Sequence, residues 1–265
     1  MTTNSEIKAN TEGSGSKVLL VHGLGGNRNS WSPIVPLLAG QREVVTIDLP
    51  GHGNTAARAD SGTFAGLADD LQEYIEQNGL TAIDLVGFSL GGRLVLERAH
   101  RGCGGNVVAL NPGGFWRGWE RIYFKWTLTA SQKLLHALKS QLGTLSGSSV
   151  SRTALLAQLS ARPWALDQAM VKKELVSFAE TPTVIPLIKD LASGPAQSGP
   201  TSPQAGRVAI AWGDKDRLCP PRQASRARAA FPQAAFHWIK GSGHYSIWDK
   251  PRDVADIILE RARPD

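Results

Sequence analysis

The chain has 265 residues, 42% of them apolar and 20% charged, which fits one globular α/β domain with an insertion. Its net charge of +6 comes without a block of basic residues interleaved with aromatic ones, and this distribution argues against a nucleic-acid-binding protein. The sequence has no apolar run of about eighteen residues, so we expect no membrane span and a soluble, cytoplasmic protein.

The two cysteines, Cys103 and Cys219, lack the C-x-x-C spacing of metal and redox sites. The sequence therefore predicts neither a metal centre nor a disulfide framework. Two free thiols are typical of a protein in a reducing cytoplasm.

Strand and helix patterns alternate in the first part of the chain. The polar residues 1–16 allow one edge strand near 6–11. Continuous apolar runs, typical of strands buried on both faces of a parallel sheet, lie at 17–21, 43–48, 83–88 and 107–110. Helical patterns separate them at 30–38, 64–77 and 90–99. This alternation predicts a parallel sheet covered by helices on both faces.

The alternation stops after residue 114. The next segment shows only helical patterns, at 116–128, 131–141, 150–160, 164–178 and 182–191. A linker rich in Gly, Ser and Pro follows at 194–203, and then a strand at 207–212, a helix at 221–230, a strand at 235–239 and a closing helix at 249–263. We therefore predict an α/β core formed by residues 1–114 and 199–265, with an all-helical insertion at 115–198.

The segment Ile83–Gly92 contains G-x-S-x-G between a predicted strand and a predicted helix. A serine in such a turn has a strained backbone, and Gly87 and Gly91 leave room two residues before and after Ser89. The turn lifts the Ser89 hydroxyl out of the sheet and sets it at a helix N-terminus, where negative charge is favoured. Short Gly/Ser turns are common, so the motif alone also fits an ordinary turn.

A serine nucleophile needs a base within hydrogen-bond distance, and the base needs an acid that orients it. Both are expected at the ends of later strands, with the acid before the histidine. Asp216 and His244 fit this order. Asp216 is preferred to Asp214 because the longer loop allows its carboxylate to turn back under the histidine. His244 is preferred to His237, which lies inside a predicted strand.

Acyl transfer also needs two donors for the developing oxyanion. The backbone N–H of Leu90, directly after the serine, is one candidate. The glycine-rich loop after the first buried strand supplies the other, with Leu24 as first choice and Gly23 as second. His22 and His52 are interpreted as braces of their turns and not as bases.

Five segments together resemble the α/β-hydrolase superfamily. They are H-G-L-G-G at 22–26, D-L-P-G-H-G at 48–53, G-F-S-L-G-G at 87–92, W-G-D-K-D at 212–216 and G-S-G-H at 241–244. The resemblance implies an α/β-hydrolase fold with a mostly parallel central sheet, a shortened edge hairpin, and residues 115–198 as a lid over Ser89. Dehalogenases and many epoxide hydrolases carry Asp in place of this serine, so the resemblance argues against both activities.

The resulting interpretation is a serine hydrolase that cleaves small to medium, hydrophobic carboxylic esters through an acyl-enzyme, with Ser89, His244 and Asp216 as catalytic residues and no metal or cofactor. Two alternatives stay open. One is a carbon–carbon bond hydrolase of ring-cleavage products of the 2-hydroxy-6-oxo-dienoate type, which residues 111–114 and 243–248 somewhat resemble. The other is a ligand-binding protein of the same fold without turnover.

A small-molecule substrate is the only partner that the sequence predicts, and the oligomeric state is left open. Aromatic residues of the helical insertion and residues of the catalytic loops are expected to line its pocket. An arginine of the insertion, Arg162 or Arg152, is the candidate to bind a substrate carboxylate. The predicted substrate-binding residues are Gly23, Phe115, Trp116, Trp164, Tyr245 and Arg162.

Overall fold

The computed structural model of the protein describes residues 6–102 and 104–261. These residues form one seven-stranded sheet with the strand order β1-β3-β2-β4-β5-β6-β7. β1 runs antiparallel to β3, and the other neighbouring pairs are parallel, which confirms the predicted sheet. The strands are β1 Ala9–Gly13, β2 Ser16–Val21, β3 Arg42–Ile47, β4 Asp84–Phe88, β5 Val107–Leu110, β6 Val208–Gly213 and β7 Ala235–Ile239.

Helices cover both faces of the sheet, because successive side chains of a strand point to opposite faces and the central strands are apolar on both. In β2, Leu19 and Val21 join the core under α2, α3 and α9, whereas Val18 and Leu20 join the core under α1 and α11. These helices are α1 Val35–Leu38, α2 Phe64–Gln77, α3 Leu90–Arg101, α9 Pro221–Ala230 and α11 Pro251–Arg261, and the short α10 Ser246–Asp249 precedes α11.

Five further helices lie between β5 and β6, within the predicted insertion 115–198. The structure describes all of this segment, which consists of helices, 3₁₀ turns and loops. No helix in the described ranges combines the length and the apolar character that crossing a bilayer requires. The five helices are α4 Trp119–Ala137, α5 Leu142–Gly147, α6 Ser149–Leu156, α7 Gln168–Glu180 and α8 Val184–Ser193.

Several predicted helix boundaries are wrong. The helices expected at 116–128 and 131–141 are one helix, α4, because the polar stretch at 127–132 contains neither Gly nor Pro and so does not break the helix. The helix expected at 150–160 is α6, which ends at Leu156, and α5 precedes it.

Prolines explain two other differences. The helix expected at 30–38 is a 3₁₀ turn, Arg28–Trp31, followed by the single-turn α1, because Pro33 interrupts the segment. The closing helix begins at Pro251, a favourable first helical position, and residues 262–263 of the prediction lie outside the described residues.

The antiparallel edge differs in position but not in kind from the prediction. β1 spans Ala9–Gly13, whereas the sequence favoured 6–11. Ala9 lies opposite Ile47 and Gly13 opposite Glu43. Within the described part of the chain this is the one antiparallel strand of the sheet, as a shortened edge hairpin requires.

Candidate active site

Ser89 lies in the turn between β4 and α3, at a backbone φ of 56° and ψ of −110°. This left-handed conformation is rare for any residue other than glycine. A Cβ atom at position 87 would collide with the Gly91 carbonyl oxygen, and one at position 91 with the Val21 carbonyl oxygen. The two glycines are therefore needed by the close approach of neighbouring backbone segments, as the motif predicts.

His244 follows β7, and its ring lies between Ser89 and Asp216. The distance from His244 Nε2 to Ser89 Oγ is 2.9 Å, and that from His244 Nδ1 to Asp216 Oδ2 is 2.8 Å. His244 and Asp216 are both only 2% exposed. The structure thus brings together three side chains from the ends of three different strands, β4, β6 and β7.

The carboxylate of Asp216 is fixed by further hydrogen bonds. The backbone N–H groups of Leu218 and Cys219 donate to Oδ1 at 2.9 and 2.7 Å. The side-chain amide of Asn111 donates to Oδ2 at 2.9 Å. With His244, four donors satisfy one buried carboxylate, which keeps Asp216 oriented toward the histidine.

The loop after β2 holds a turn in which the Gly26 N–H donates to the Gly23 carbonyl at 3.1 Å and Gly25 has a φ of 70°. Leu24 lies inside this turn, and Leu90 is the first residue of α3. Neither the Leu24 nor the Leu90 N–H donates a hydrogen bond to another group in residues 6–102 and 104–261. Both residues line the same cavity as Ser89.

Two buried histidines stabilise this end of the sheet. The Leu49 N–H donates to His22 Nε2 at 3.0 Å, and His22 Nδ1 lies 2.7 Å from the Gly23 carbonyl, so the ring joins two loops. Burial lowers the pKa of His22 to about 4 and that of His52 to about 3. Both rings are thus neutral at pH 7, and their centroids lie 5.1 Å apart.

Ser89 opens into a mostly apolar cavity between the core and the helical insertion. The core contributes Ser89, His244 and the loops around them, and α4, α6, α7 and α8 contribute part of the opposite wall. Three of the predicted substrate-binding residues, Gly23, Trp116 and Tyr245, line it. The insertion's apolar lining consists of Trp116, Phe124, Leu128, Leu135, Leu155, Leu159, Leu175, Phe178 and Leu191.

The other three predicted substrate-binding residues lie outside this cavity, and their assignments are corrected. Phe115 packs in the core between Trp212 and Phe231, at centroid distances of 6.2 and 6.4 Å. Trp164 is 54% exposed on the outer surface of the insertion. Arg162 approaches the Asp249 carbonyl instead, with Nη2 at 3.4 Å.

Arg152, the other candidate for binding a carboxylate, is also directed elsewhere. Its guanidinium donates to the carbonyl oxygens of Ser146, Gly147 and Trp164, at 2.6 to 3.1 Å. Arg152 therefore closes the end of α5 and does not reach the cavity.

Comparison with known proteins gives the family. Residues 17–251 match the family model of the alpha/beta hydrolase fold. The chain belongs to this family. An uncharacterized protein of Mycobacterium tuberculosis is 25% identical over 257 residues, covering 93% of this chain and 75% of that protein. The sn-1-specific diacylglycerol lipase ABHD11 of Mus musculus is 26% identical over 251 residues, covering 91% and 79%.

A solved structure shows the same alpha/beta hydrolase fold. The esterase EaEST from Exiguobacterium antarcticum matches with a TM-score of 0.78 at 16% identity, over 99% of this chain and 98% of that one. The fold class predicted from the sequence is therefore confirmed.

In this alpha/beta hydrolase, the alternatives to Asp216 and His244, which are Asp214 and His237, have other places in the fold. Asp214 Oδ1 accepts hydrogen bonds from the N–H groups of Gly241 and Ser242, at 2.7 and 3.3 Å, and so holds the loop that carries the histidine. His237 lies within β7, half-buried.

The two cysteines of the sequence differ in what the structure describes. Cys103 lies outside the described residues, and Cys219 is a buried free thiol.

Sequence reasoning did not identify Asn111 as a contact of Asp216. Asn111 follows β5 at a φ of 46°, a conformation that asparagine tolerates better than most residues. Its position, directly after a buried strand at the sheet edge that carries the other polar groups, is the signal that could have pointed to it.

Two charged residues of the cavity wall were also missed. Burial raises the pKa of Glu174 to about 7. Its carboxyl group accepts hydrogen bonds from the hydroxyls of Ser30 and Tyr245, at 2.7 and 3.3 Å. Arg93 lies on α3, its guanidinium 4.0 Å from the Phe64 ring centroid, and burial lowers its pKa to about 10. Both face the cavity, although neither belongs to a motif.

Asp216, Cys219 and His244 bring one potential metal ligand atom each within 4.8 Å of the others. Their donor atoms are already used: Asp216 accepts four hydrogen bonds, and His244 is bonded at both ring nitrogens. Burial raises the pKa of the Cys219 thiol, which favours the protonated form, whereas metal ligation needs the thiolate. This cluster therefore does not fit a metal ion.

Proposed function

We propose that the protein is a serine hydrolase that cleaves small to medium, hydrophobic carboxylic esters through an acyl-enzyme. The observation that carries this proposal is the continuous hydrogen-bonded path from Asp216 through His244 to Ser89 Oγ, whose Ser89 end lies at the floor of an apolar cavity. A serine hydroxyl paired with an oriented imidazole is the arrangement that activates serine as a nucleophile.

The first half-reaction forms the acyl-enzyme. His244 Nδ1–H donates to Asp216, so Nε2 is free to accept the proton of the Ser89 hydroxyl as Oγ attacks the ester carbonyl carbon. Asp216 stabilises the imidazolium, which then gives its proton to the leaving alcohol oxygen as the ester C–O bond breaks.

The second half-reaction hydrolyses the acyl-enzyme. His244 accepts a proton from water, the water oxygen attacks the acyl carbon, and the proton returns to Ser89 Oγ as the carboxylic acid leaves. The N–H groups of Leu24 and Leu90 would stabilise the oxyanion in both steps, since each is unpaired within the described residues and each residue lines the cavity beside Ser89.

The lining of the cavity supports a hydrophobic acyl or alcohol group. Leucines and aromatic rings form most of the wall, and apolar pockets bind ligands chiefly by removing apolar surface from water.

Replacing the nucleophile tests the proposal. We expect Ser89→Ala to lower kcat for p-nitrophenyl butyrate by a factor on the order of 10⁶, because the acyl-enzyme can no longer form. Ser193→Ala, which changes an exposed serine of α8, is the matched control and should keep wild-type activity. Circular dichroism checks that both variants are folded. Wild-type turnover in folded Ser89→Ala would refute the assignment.

One observation favours carbon–carbon bond hydrolysis as a second candidate. Arg93 places a buried cation on the cavity wall, and that reaction uses a substrate with a carboxylate. The two activities are compared at matched substrate concentrations. A loss of the absorbance of a ring-cleavage acid that is faster than the release of p-nitrophenol from p-nitrophenyl butyrate would support this candidate over the ester hydrolase.

A fluorophosphonate probe separates both enzymes from a ligand-binding protein without turnover. Either hydrolase should be labelled at Ser89, because the probe reacts with an activated serine. A protein that only binds a ligand would not be labelled.

A further inference from the structure

Helix α4 exposes large apolar side chains along its outer side. Trp119 is 60% exposed, Ile122 60%, Trp126 70% and Leu134 51%. The spacing of the first three, at positions i, i+3 and i+7, places them on one face of the helix. We call Trp119, Ile122 and Trp126 the outer apolar face. Clustered apolar side chains of this size on a surface mark an interaction site.

The opposite side of α4 is apolar as well. Phe124, Leu128 and Leu135 are buried there, and all three line the cavity of Ser89. A helix that is apolar on two opposite sides is normally covered on both. The inner side is covered by the protein itself, whereas the described residues leave Trp119, Ile122 and Trp126 mostly exposed.

The helical insertion that carries this face has a positive net charge. Residues 115–198 contain ten lysines and arginines but five acidic residues, so they carry +5 of the chain's net charge of +6. The single acidic residue of α4, Glu120, is buried and paired with Arg222 and Arg226 of α9. Lys125 and Lys133 of the same helix are exposed.

We propose that the outer apolar face of α4 docks on the surface of an anionic lipid bilayer. Tryptophan is favoured at the boundary between lipid headgroups and acyl chains, because its ring is apolar and its N–H is polar. Lysines beside an apolar helix face bind anionic headgroups. The guanidinium of Arg222, which pairs with Glu120, lies 4.6 Å from the Trp119 ring centroid at the edge of the face.

Charge complementarity distinguishes this occupant from a second copy of the chain. A symmetric dimer through this face would bring two helical insertions with net charges of +5 against each other, and such like-charge contacts are unfavourable. An anionic membrane offers the opposite charge and an apolar layer for the tryptophans. The docking is independent of the proposed hydrolysis, since no residue of the outer apolar face touches Ser89.

Vesicle co-sedimentation tests the proposal, with Ser89→Ala as the background so that no lipid is consumed. We expect this protein to bind vesicles of equimolar phosphatidylcholine and phosphatidylglycerol about tenfold more tightly than vesicles of phosphatidylcholine. Adding Trp119→Ala and Trp126→Ala should weaken binding about tenfold. Adding Trp238→Ala, which changes an exposed tryptophan of β7, is the matched control and should not weaken it.

A charge-reversal pair measures the electrostatic part. Lys125→Glu with Lys133→Glu should remove most of the preference for phosphatidylglycerol, and raised salt should do the same to the protein without these changes. Thermal unfolding checks that each variant is folded.

Three results would overturn docking on lipid. The first is no vesicle binding, and the second is equal binding by the Trp119→Ala/Trp126→Ala variant. The third is self-association in lipid-free buffer that the same two substitutions abolish, because it would assign the outer apolar face to a second copy.

Discussion

The α/β core and the helical insertion supply different kinds of groups to one cavity. The core places Ser89, His244 and Asp216 at strand ends, and hydrogen bonds link the three side chains to one another. The insertion supplies mostly apolar side chains from several helices, with Glu174 as its ionisable residue on the wall. Strand ends therefore fix the three hydrogen-bonded side chains, whereas helix faces shape the space in front of them.

The two regions also bury titratable groups of opposite kind. The core holds His22 and His52 neutral, with pKa values lowered to about 4 and about 3. The insertion buries the carboxyl group of Glu174, whose pKa is raised to about 7. The core should therefore lose stability toward acid, and the insertion toward alkali, since each group then becomes charged in a buried place.

Among the predictions from this comparison, the largest expected effect concerns Asp216, the proposed orienting acid of the core. Asp216→Asn should lower kcat for p-nitrophenyl butyrate by a factor on the order of 10⁴, because the amide favours the wrong tautomer of His244. Asp214→Asn is the matched control, two residues away, and we expect kcat within a few-fold of wild type. Steady-state kinetics measures both. Equal losses in the two variants would mean that the choice between the two aspartates is wrong.

The second prediction concerns acid stability of the core. The folded pKa values of His22 and His52 lie below the unfolded value of 6.5, so stability is present above pH 6.5 and is lost as the pH falls toward 4. Together the two histidines should lower the free energy of unfolding at pH 4 by on the order of 5 kcal/mol relative to pH 7.

Urea unfolding at pH 7 and pH 4 measures this loss. His52→Asn removes one of the two titrations and should reduce the difference between the two pH values by about 3 kcal/mol. His136→Asn, at an exposed position of α4, should leave the difference unchanged. An unchanged difference in His52→Asn would contradict the assignment of acid sensitivity to this ring.

The third and smallest effect concerns Glu174 of the insertion. Its folded pKa of about 7 lies above the unfolded value of 4.5, so its contribution to stability is present below pH 4.5 and is lost as the pH rises through 7. Glu174→Gln cannot ionise and should raise the free energy of unfolding at pH 9 by up to about 3 kcal/mol relative to wild type.

The gain should shrink toward pH 4.5, where the wild-type carboxyl is protonated and resembles the amide. Glu180→Gln, on the exposed end of the same helix, should show no such pH-dependent gain. Chemical unfolding at pH 4.5 and pH 9 compares the variants. A gain that is the same at both pH values would indicate a packing effect and not the ionisation of Glu174.

The sequence by itself determined the α/β alternation, the site of the insertion and the positions of Ser89, Asp216 and His244. These features follow from local constraints: apolar runs identify buried strands, glycines permit the strained serine turn, and parallel strands bring their carboxyl ends to one edge. Ser89, Asp216 and His244 follow β4, β6 and β7, so all three side chains are expected at that edge.

Only the tertiary structure decided which residues face the cavity. Trp116 lines it, whereas Phe115, directly before it, packs in the core. Glu174 faces inward, and Trp164 lies on the outer surface. The physical reason is that α4 is apolar on more than one side and that Phe115, Trp116 and Trp164 lie outside the α-helices, so periodicity alone does not select the residues that face the cavity. Packing against the core and the neighbouring helices makes that choice.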